Sequence, residues 1–138
     1  MKFPFVGQVI SSDMENGGWI VTEVTFPTSE DYLEGPFYTP GQVPFTIIIE
    51  AMAGSAGRLI GMMSEDNLIA MMVKVEKADM LVPVAAGDRM LVRSELLGIQ
   101  DTTGEKIGFA RASIQAVVSD RPVADARISF LCVPTKGF

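Results

Sequence analysis

The chain has no histidine anywhere in its 138 residues. It therefore lacks the side chain whose ordinary pKa lies nearest neutral pH, and any proton transfer falls to other groups. A zinc centre would also lose its commonest nitrogen ligand. Cysteine is almost as scarce. The one thiol, Cys132, sits in an apolar C-terminal segment and cannot form an internal disulfide, which suits a reducing, cytoplasmic setting. With no imidazole to activate it, Cys132 reads as a small core residue rather than a nucleophile. Basic runs are missing too. Residues 1–57 carry one lysine against seven carboxylates, and residues 58–138 carry ten basic against ten acidic groups, for a net charge of −6. Nucleic acid is not an expected partner, because binding it requires clustered phosphate-neutralising cations. Arg58, Lys74, Lys77, Arg89 and Arg93 read as solvated surface. No tight acidic cluster suggests a metal, and no phosphate-binding glycine loop suggests a nucleotide: "AGSAG" at 53–57 lies in a helical stretch without a lysine partner. No cofactor is expected. The first ten residues hold no long apolar run, so a signal peptide is not expected either.

What is present is an apolar centre. Hydrophobic residues make up 48% of the chain and charged residues 20%, the balance of an ordinary globular protein, and the length suits one domain spanning 1–138. From Gly35 to Gly57 the only charge is Glu50. The run from Pro44 to Met63 approaches the roughly 20 residues of a membrane span. Glu50, Arg58 and its many small residues favour a soluble central helix from about Pro44 to Met62 instead. Such a helix is apolar on all faces and is expected to be wrapped on all sides. Glu50 then reads as a buried carboxylate, which is costly unless paired or used. Around this helix, residues 19–26, 67–80, 89–100, 107–120 and 124–133 read as strands. Residues 11–18 ("SSDMENGG") read as a turn cluster, 36–41 and 82–88 as loops, and 101–106 as a hairpin turn. The expected class is α+β: an antiparallel sheet curved around one long helix.

The segment "GPFYTPGQVPFTIIIE" (35–50) resembles the active-site stretch of hotdog-fold 3-hydroxyacyl-acyl carrier protein dehydratases of the FabZ/FabA type. That pattern runs G-H-F-P-G-x-P-x-x-P-G-x-x-x-x-E and leads into a small-residue helix. Laid without gaps, Gly35, Phe37, Pro44 and Glu50 match it, and the interval from position 36 to position 50 is the family's. "VPVAAGDRMLVRSELL" (82–97) and "GFARASIQAVVSDRPVADARISFLCV" (108–133) resemble the family's later strands. The resemblance covers residues 19–133 and implies a hotdog fold. The departures fall on the chemistry. The family's catalytic histidine falls on Pro36, its next proline and glycine on Tyr38 and Thr39, a further glycine on Phe45, and a glutamine on Gly54.

The resemblance implies an acyl-thioester protein of fatty acid or polyketide metabolism, taking acyl-ACP or acyl-CoA. Dehydration needs a base for the α-proton and an acid for the departing hydroxide, and here only Glu50 matches a catalytic position. Dehydratase chemistry is therefore expected to be altered or lost. One alternative is a thioesterase in which Glu50 activates water while helix N-terminal amides near Phe45 and Thr46 polarise the carbonyl. Another is a non-catalytic acyl-binding or partner subunit. Tyr38, Thr39, Phe45, Gly54 and Ser55 are the candidate substrate-binding positions. Met62, Met63, Met71 and Met72 read as core, with the lining of an acyl tunnel as the alternative. The resemblance further implies a homodimer or higher homo-oligomer with sheets joined edge to edge, or a hetero-oligomer with a histidine-bearing paralogue.

Overall fold

The computed structural model describes residues 7–15, 17–27, 41–65, 67–101 and 108–135. The elements run β1 (Gln8–Asp13), β2 (Trp19–Thr25), α1 (Phe45–Met63), β3 (Leu68–Met80), β4 (Arg89–Asp101), β5 (Gly108–Val118) and β6 (Arg121–Pro134). The strands form one antiparallel sheet in the order β1-β2-β4-β5-β6-β3. Because β2 lies near one edge and β3 forms the other, the connection between them must cross the sheet. That connection contains α1, which packs against β2, β3, β4, β5 and β6.

Each strand earns its place by alternation. In β5, Gly108, Ala110, Ala112, Ile114 and Ala116 are buried, while Phe109, Arg111, Ser113 and Gln115 are exposed. This is the period-two pattern of a sheet with one covered face. The covered positions of β5 and β6 are unusually small: Ala110, Ala112, Ala116, Ala124 and Ala126. Small side chains there let α1 approach the sheet closely, and Ile48, Met52, Leu59 and Ile60 from the helix fill the space. At the helix N-terminus, Val43 N–H donates to Val84 O at 2.8 Å and Ala86 N–H to Gly41 O at 2.9 Å. These bonds tie the start of α1 to the loop before β4, with Phe26, Val43 and Val84 buried around them.

Four expectations need correction. The turn cluster at 11–18 begins too early, since β1 already occupies Gln8–Asp13 and its second half, Ser11–Asp13, pairs with β2 although polar. The last strand begins at Arg121 rather than 124, because Ser119 and Asp120 form a two-residue hairpin turn with φ of 51° and 62°. Neither residue has the Asn-Gly signature of such a turn, so it was invisible to pattern reading. The helix is not wrapped on all sides: Thr46, Glu50, Arg58 and Met62 are exposed, because a single sheet covers only one side of a cylinder. By length and composition α1 could cross a membrane, yet its sheet-facing half is core. Finally, Met62, Met71 and Met72 are 36%, 43% and 48% exposed and so are not core.

The left-handed turn carries a cost of roughly 1–2 kcal/mol per non-glycine residue. Replacing Ser119-Asp120 by Asn-Gly is expected to raise stability by about 1 kcal/mol, read as a higher urea midpoint with an unchanged slope. A second prediction concerns acid. Arg89 Nε lies 2.6 Å from Glu23 Oε1 and its Nη2 donates to Oε2 at 2.8 Å, joining β4 to β2. Hydrogen bonding and charge attraction from Arg89 hold the Glu23 carboxyl below its usual 4.5. A depressed carboxylate stabilises the fold above its unfolded pKa and loses that contribution as pH falls through the folded value. The pair is solvent-exposed, so the effect is modest. Unfolding midpoints of the wild type are expected to drop more on acidification below 4.5 than those of Glu23→Gln.

Candidate functional site

The two faces of α1 do different work. Ile48, Ala51, Met52, Ser55, Ala56 and Leu59 face the sheet and are buried. On the opposite side, positions 46, 50, 54, 58 and 62 follow one another at four-residue spacing and form a single ridge. Thr46, Glu50, Arg58 and Met62 on this ridge are exposed, and Gly54 is half-buried. Beside it run Ala53, Gly57 and Gly61, all half-buried. Glu50 and Arg58 are the only charges in α1. Neither has an ion pair or side-chain hydrogen bond among the described residues.

The open face borders the edge strand β3. A methyl group at Gly57 would sit 3.9 Å from Ala70 Cβ. Register places Ala70, Met72 and Val75 on the same side of β3, opposite buried Cys132, Phe130 and Ile128 of β6. Met72 and Val75 are nevertheless 48% and 38% exposed, because none of the other described strands lies over them. A carboxylate thus stands on a helix face that adjoins uncovered apolar surface.

The start of α1 is also bare. Pro44 is the N-cap, no side chain caps the helix, and no acidic residue lies in its first turn. Pro44 O accepts from Ile47 N–H at 3.0 Å and Ile48 N–H at 3.3 Å. The amides of Phe45 and Thr46, which have no intrahelical acceptor, carry the positive end of the helix dipole.

Of the residues singled out from sequence, Glu50 and Gly54 share the open face, and Phe45 is half-buried against the core near the helix start. Tyr38 and Thr39, and Pro36 with them, lie outside the described residues. Ser55 points the other way, about 140° round the helix from Glu50. It is fully buried, and its Oγ accepts from Thr22 Oγ1 at 3.1 Å and from Ser94 Oγ at 3.1 Å. This three-hydroxyl cluster was missed from sequence. The signal was there: Thr22 and Ser94 are polar at inward positions of alternating strands. Cys132 is fully buried, and burial pushes its thiol up, which keeps it neutral.

The similarities to known proteins agree with this architecture. No family profile matches the chain. It is 31% identical to the 3-hydroxyacyl-[acyl-carrier-protein] dehydratase FabZ of Chlamydia muridarum over 137 residues, covering 96% of this chain and 85% of the relative. It is 28% identical to the enzyme of the same name from Protochlamydia amoebophila, covering 96% and 82%. The chain belongs to the FabZ family of 3-hydroxyacyl-[acyl-carrier-protein] dehydratases. Among solved structures, the dehydratase heterocomplex ApeI:P from Xenorhabdus doucetiae superposes with a TM-score of 0.72 at 17% identity over 96% of this chain and 84% of that one. A thioesterase, HI1161 from Haemophilus influenzae, gives 0.62 at 13% identity over 86% and 73%. The fold is the hotdog fold, as the sequence resemblance implied.

The hydroxyl cluster yields a prediction. Ser55→Ala leaves the buried Thr22 and Ser94 hydroxyls without their acceptor and is expected to cost about 1–3 kcal/mol. Adding Thr22→Val and Ser94→Ala should recover part of that loss, because the stranded polar groups go too. Chemical denaturation of the single and triple variants measures both steps.

Proposed function

We propose that this chain is an acyl-thioester protein of the FabZ family whose dehydratase chemistry is altered by the absence of an imidazole, acting in the cytoplasm on acyl-ACP or acyl-CoA. The observation that carries the reading is Glu50, a carboxylate without a partner among the described residues, on an exposed helix face beside exposed Met72 and Val75. An acyl chain lies along that apolar surface with its thioester toward the helix. Elimination of water then proceeds with Glu50 taking the α-proton, the C–O bond breaking, and a proton reaching the departing hydroxide. A protein with a second titratable group supplies that proton directly. Position 36 is proline here, which has no proton to give, so the step falls back on Glu50 or water and is slow.

The uncovered apolar face also bears on assembly. Edge strand β3 exposes Met71, Val73 and Val75, whereas the opposite edge, β1, is six residues long and exposes one large apolar residue, Ile10. Sheets joined through β3 bring two copies of α1 side by side, with the substrate between them. The substrate positions Tyr38, Thr39, Phe45, Gly54 and Ser55 remain part of this proposal; of these, Gly54 on the open face fits it best and buried Ser55 fits it least.

A thioesterase reading is favoured by the uncapped helix start. Glu50 activates water, hydroxide adds to the carbonyl carbon, the C–S bond breaks, and the thiol leaves with a proton while the Phe45 and Thr46 amides hold the oxyanion. A partner-subunit reading is supported by likeness to a dehydratase heterocomplex. There, Glu50 serves a site completed by a histidine-bearing paralogue.

One assay separates the three. Purified protein is incubated with 3-hydroxyacyl, enoyl and saturated thioesters on both carriers, and products are read by mass spectrometry. The expected result is slow exchange of 3-hydroxyacyl and enoyl forms, lowered by about 100-fold or more in Glu50→Gln. Free acid from the wild type alone marks a thioesterase. Binding without turnover marks a partner subunit, and absence of both binding and turnover removes the acyl reading.

A further inference from the structure

Exposed apolar side chains gather at one end of the sheet. There β4 finishes, β5 begins, β6 finishes and β3 begins, and α1 arrives at Met63. Leu97, Ile99, Phe109, Ile69 and Met71 are exposed at this end, and so is Met62 of the helix. They do not share one face. Phe109 and Met71 flank half-buried Leu131 on the outer side of the sheet, in register across β5, β6 and β3. Ile99 pairs with buried Ala110 and so lies on the helix side. Behind this apolar end, on the outer side, comes a band of cations. Arg111 registers through Ser129 with Lys74, and Arg127 stands directly opposite Lys77. All four cations are exposed. Like charges directly opposite one another on a sheet are destabilising. Arg111 pairs with Glu76 at 3.1 Å and Lys77 with Asp79 at 3.4 Å, but Lys74 and Arg127 have no ion pair among the described residues. At about 3.3 Å per residue, the band runs from about 7 Å to about 13 Å behind Phe109. Gly98 faces Arg111 across the ladder, and an open groove of about 620 Å³ between Leu97, Phe109 and Glu76 leaves the guanidinium accessible.

We propose that this end of the sheet docks on an anionic lipid surface, with Leu97, Phe109 and Met71 entering the boundary of the acyl layer and Lys74, Lys77, Arg111 and Arg127 meeting headgroup phosphates. The order by depth suits such a surface: apolar side chains stand foremost, and cations follow on stems long enough to reach forward. The cations select an anionic surface over a neutral one. The chain as a whole is acidic, but the excess lies in residues 1–57, whereas all four cations belong to residues 58–138, where ten basic groups balance ten acidic ones. Apolar residues on both sides of the sheet select a fluid layer, which closes around a protruding end, over a rigid acidic protein, which contacts one side. Joining two sheets through the β3 edge covers backbone and leaves these outward side chains facing out. The cation band lies across the sheet from α1 and Glu50, so the proposal stands independently of the acyl reading.

The test is co-sedimentation of the full-length protein with vesicles of phosphatidylcholine, alone or mixed in equal parts with phosphatidylglycerol. Binding to the mixed vesicles is expected at low salt, and should weaken by at least about tenfold on neutral vesicles or at high salt. Lys74→Gln combined with Arg127→Gln breaks no ion pair and should weaken it by about tenfold or more. Leu97→Ser combined with Phe109→Ser should weaken it at either salt concentration, because apolar burial is not screened. Arg58→Gln removes a cation from the helix instead and should bind as wild type does. Circular dichroism checks the folding of each variant, and Phe109→Ser alone replaces the serine pair if that pair misfolds. No binding to the mixed vesicles, equal binding to both kinds, or binding unchanged in the Lys74 and Arg127 variant overturns the proposal. Retention on immobilised polyglutamate without binding to either vesicle also overturns it, and marks an acidic protein as the partner.

Discussion

The packing of α1 on the inner face of the sheet governs the rest of the molecule. A helix that is apolar over most of its circumference has to be covered, and this chain has one sheet with which to cover it. The alanines of β5 and β6 let the helix sit close, and the Thr22–Ser55–Ser94 hydroxyls satisfy one another at the centre of that contact. With the inner half of the helix fixed in this way, the outer half is left over. That remainder carries Glu50, Gly54 and Arg58.

This explains how an apparently expensive carboxylate is tolerated. A glutamate in the middle of an apolar segment looks like a charge buried at considerable cost. In the folded chain Glu50 is exposed and costs little. The expense returns only when something covers the open face. The covering group must then pair with the carboxylate or use it, and a substrate thioester and a partner's cation are the two groups suited to that. Edge strand β3 reinforces the point. Its bulges at Val73 and Glu76 interrupt the ladder, Glu76 reaches across to Arg111 at 3.1 Å, and Met71 to Val75 stay uncovered. An edge with exposed apolar residues is ordinarily a liability, unless pairing is its purpose.

Family membership and the missing imidazole pull in different directions. About 30% identity over nearly the whole chain goes with a shared architecture. A catalytic side chain contributes almost nothing to that architecture, so it can be exchanged without disturbing the scaffold. The fold and the chemistry of this protein therefore have to be argued separately, the first from the whole chain and the second from the few residues around Glu50.

The amino-acid sequence by itself determined the helix, most of the strands and the α+β class, because those follow from local periodicity and turn chemistry, while the hotdog fold was implied by the family resemblance. Pro44, the small-residue run and the alternation of β5 are visible in any single stretch of the chain. The sequence also showed that this chain brings no histidine of its own. It did not reveal β1, whose second half is polar, or the Ser119-Asp120 turn, whose residues lack the usual signature, or the pairing of Thr22 and Ser94 with Ser55, whose members lie 33 and 39 positions away. Above all, it could not say which side of the helix is open. An all-round apolar pattern has no preferred face, so orientation is set only by where the sheet lies. Tertiary structure alone turned Ser55 inward and left Glu50 and Arg58 exposed on the outer face of the helix.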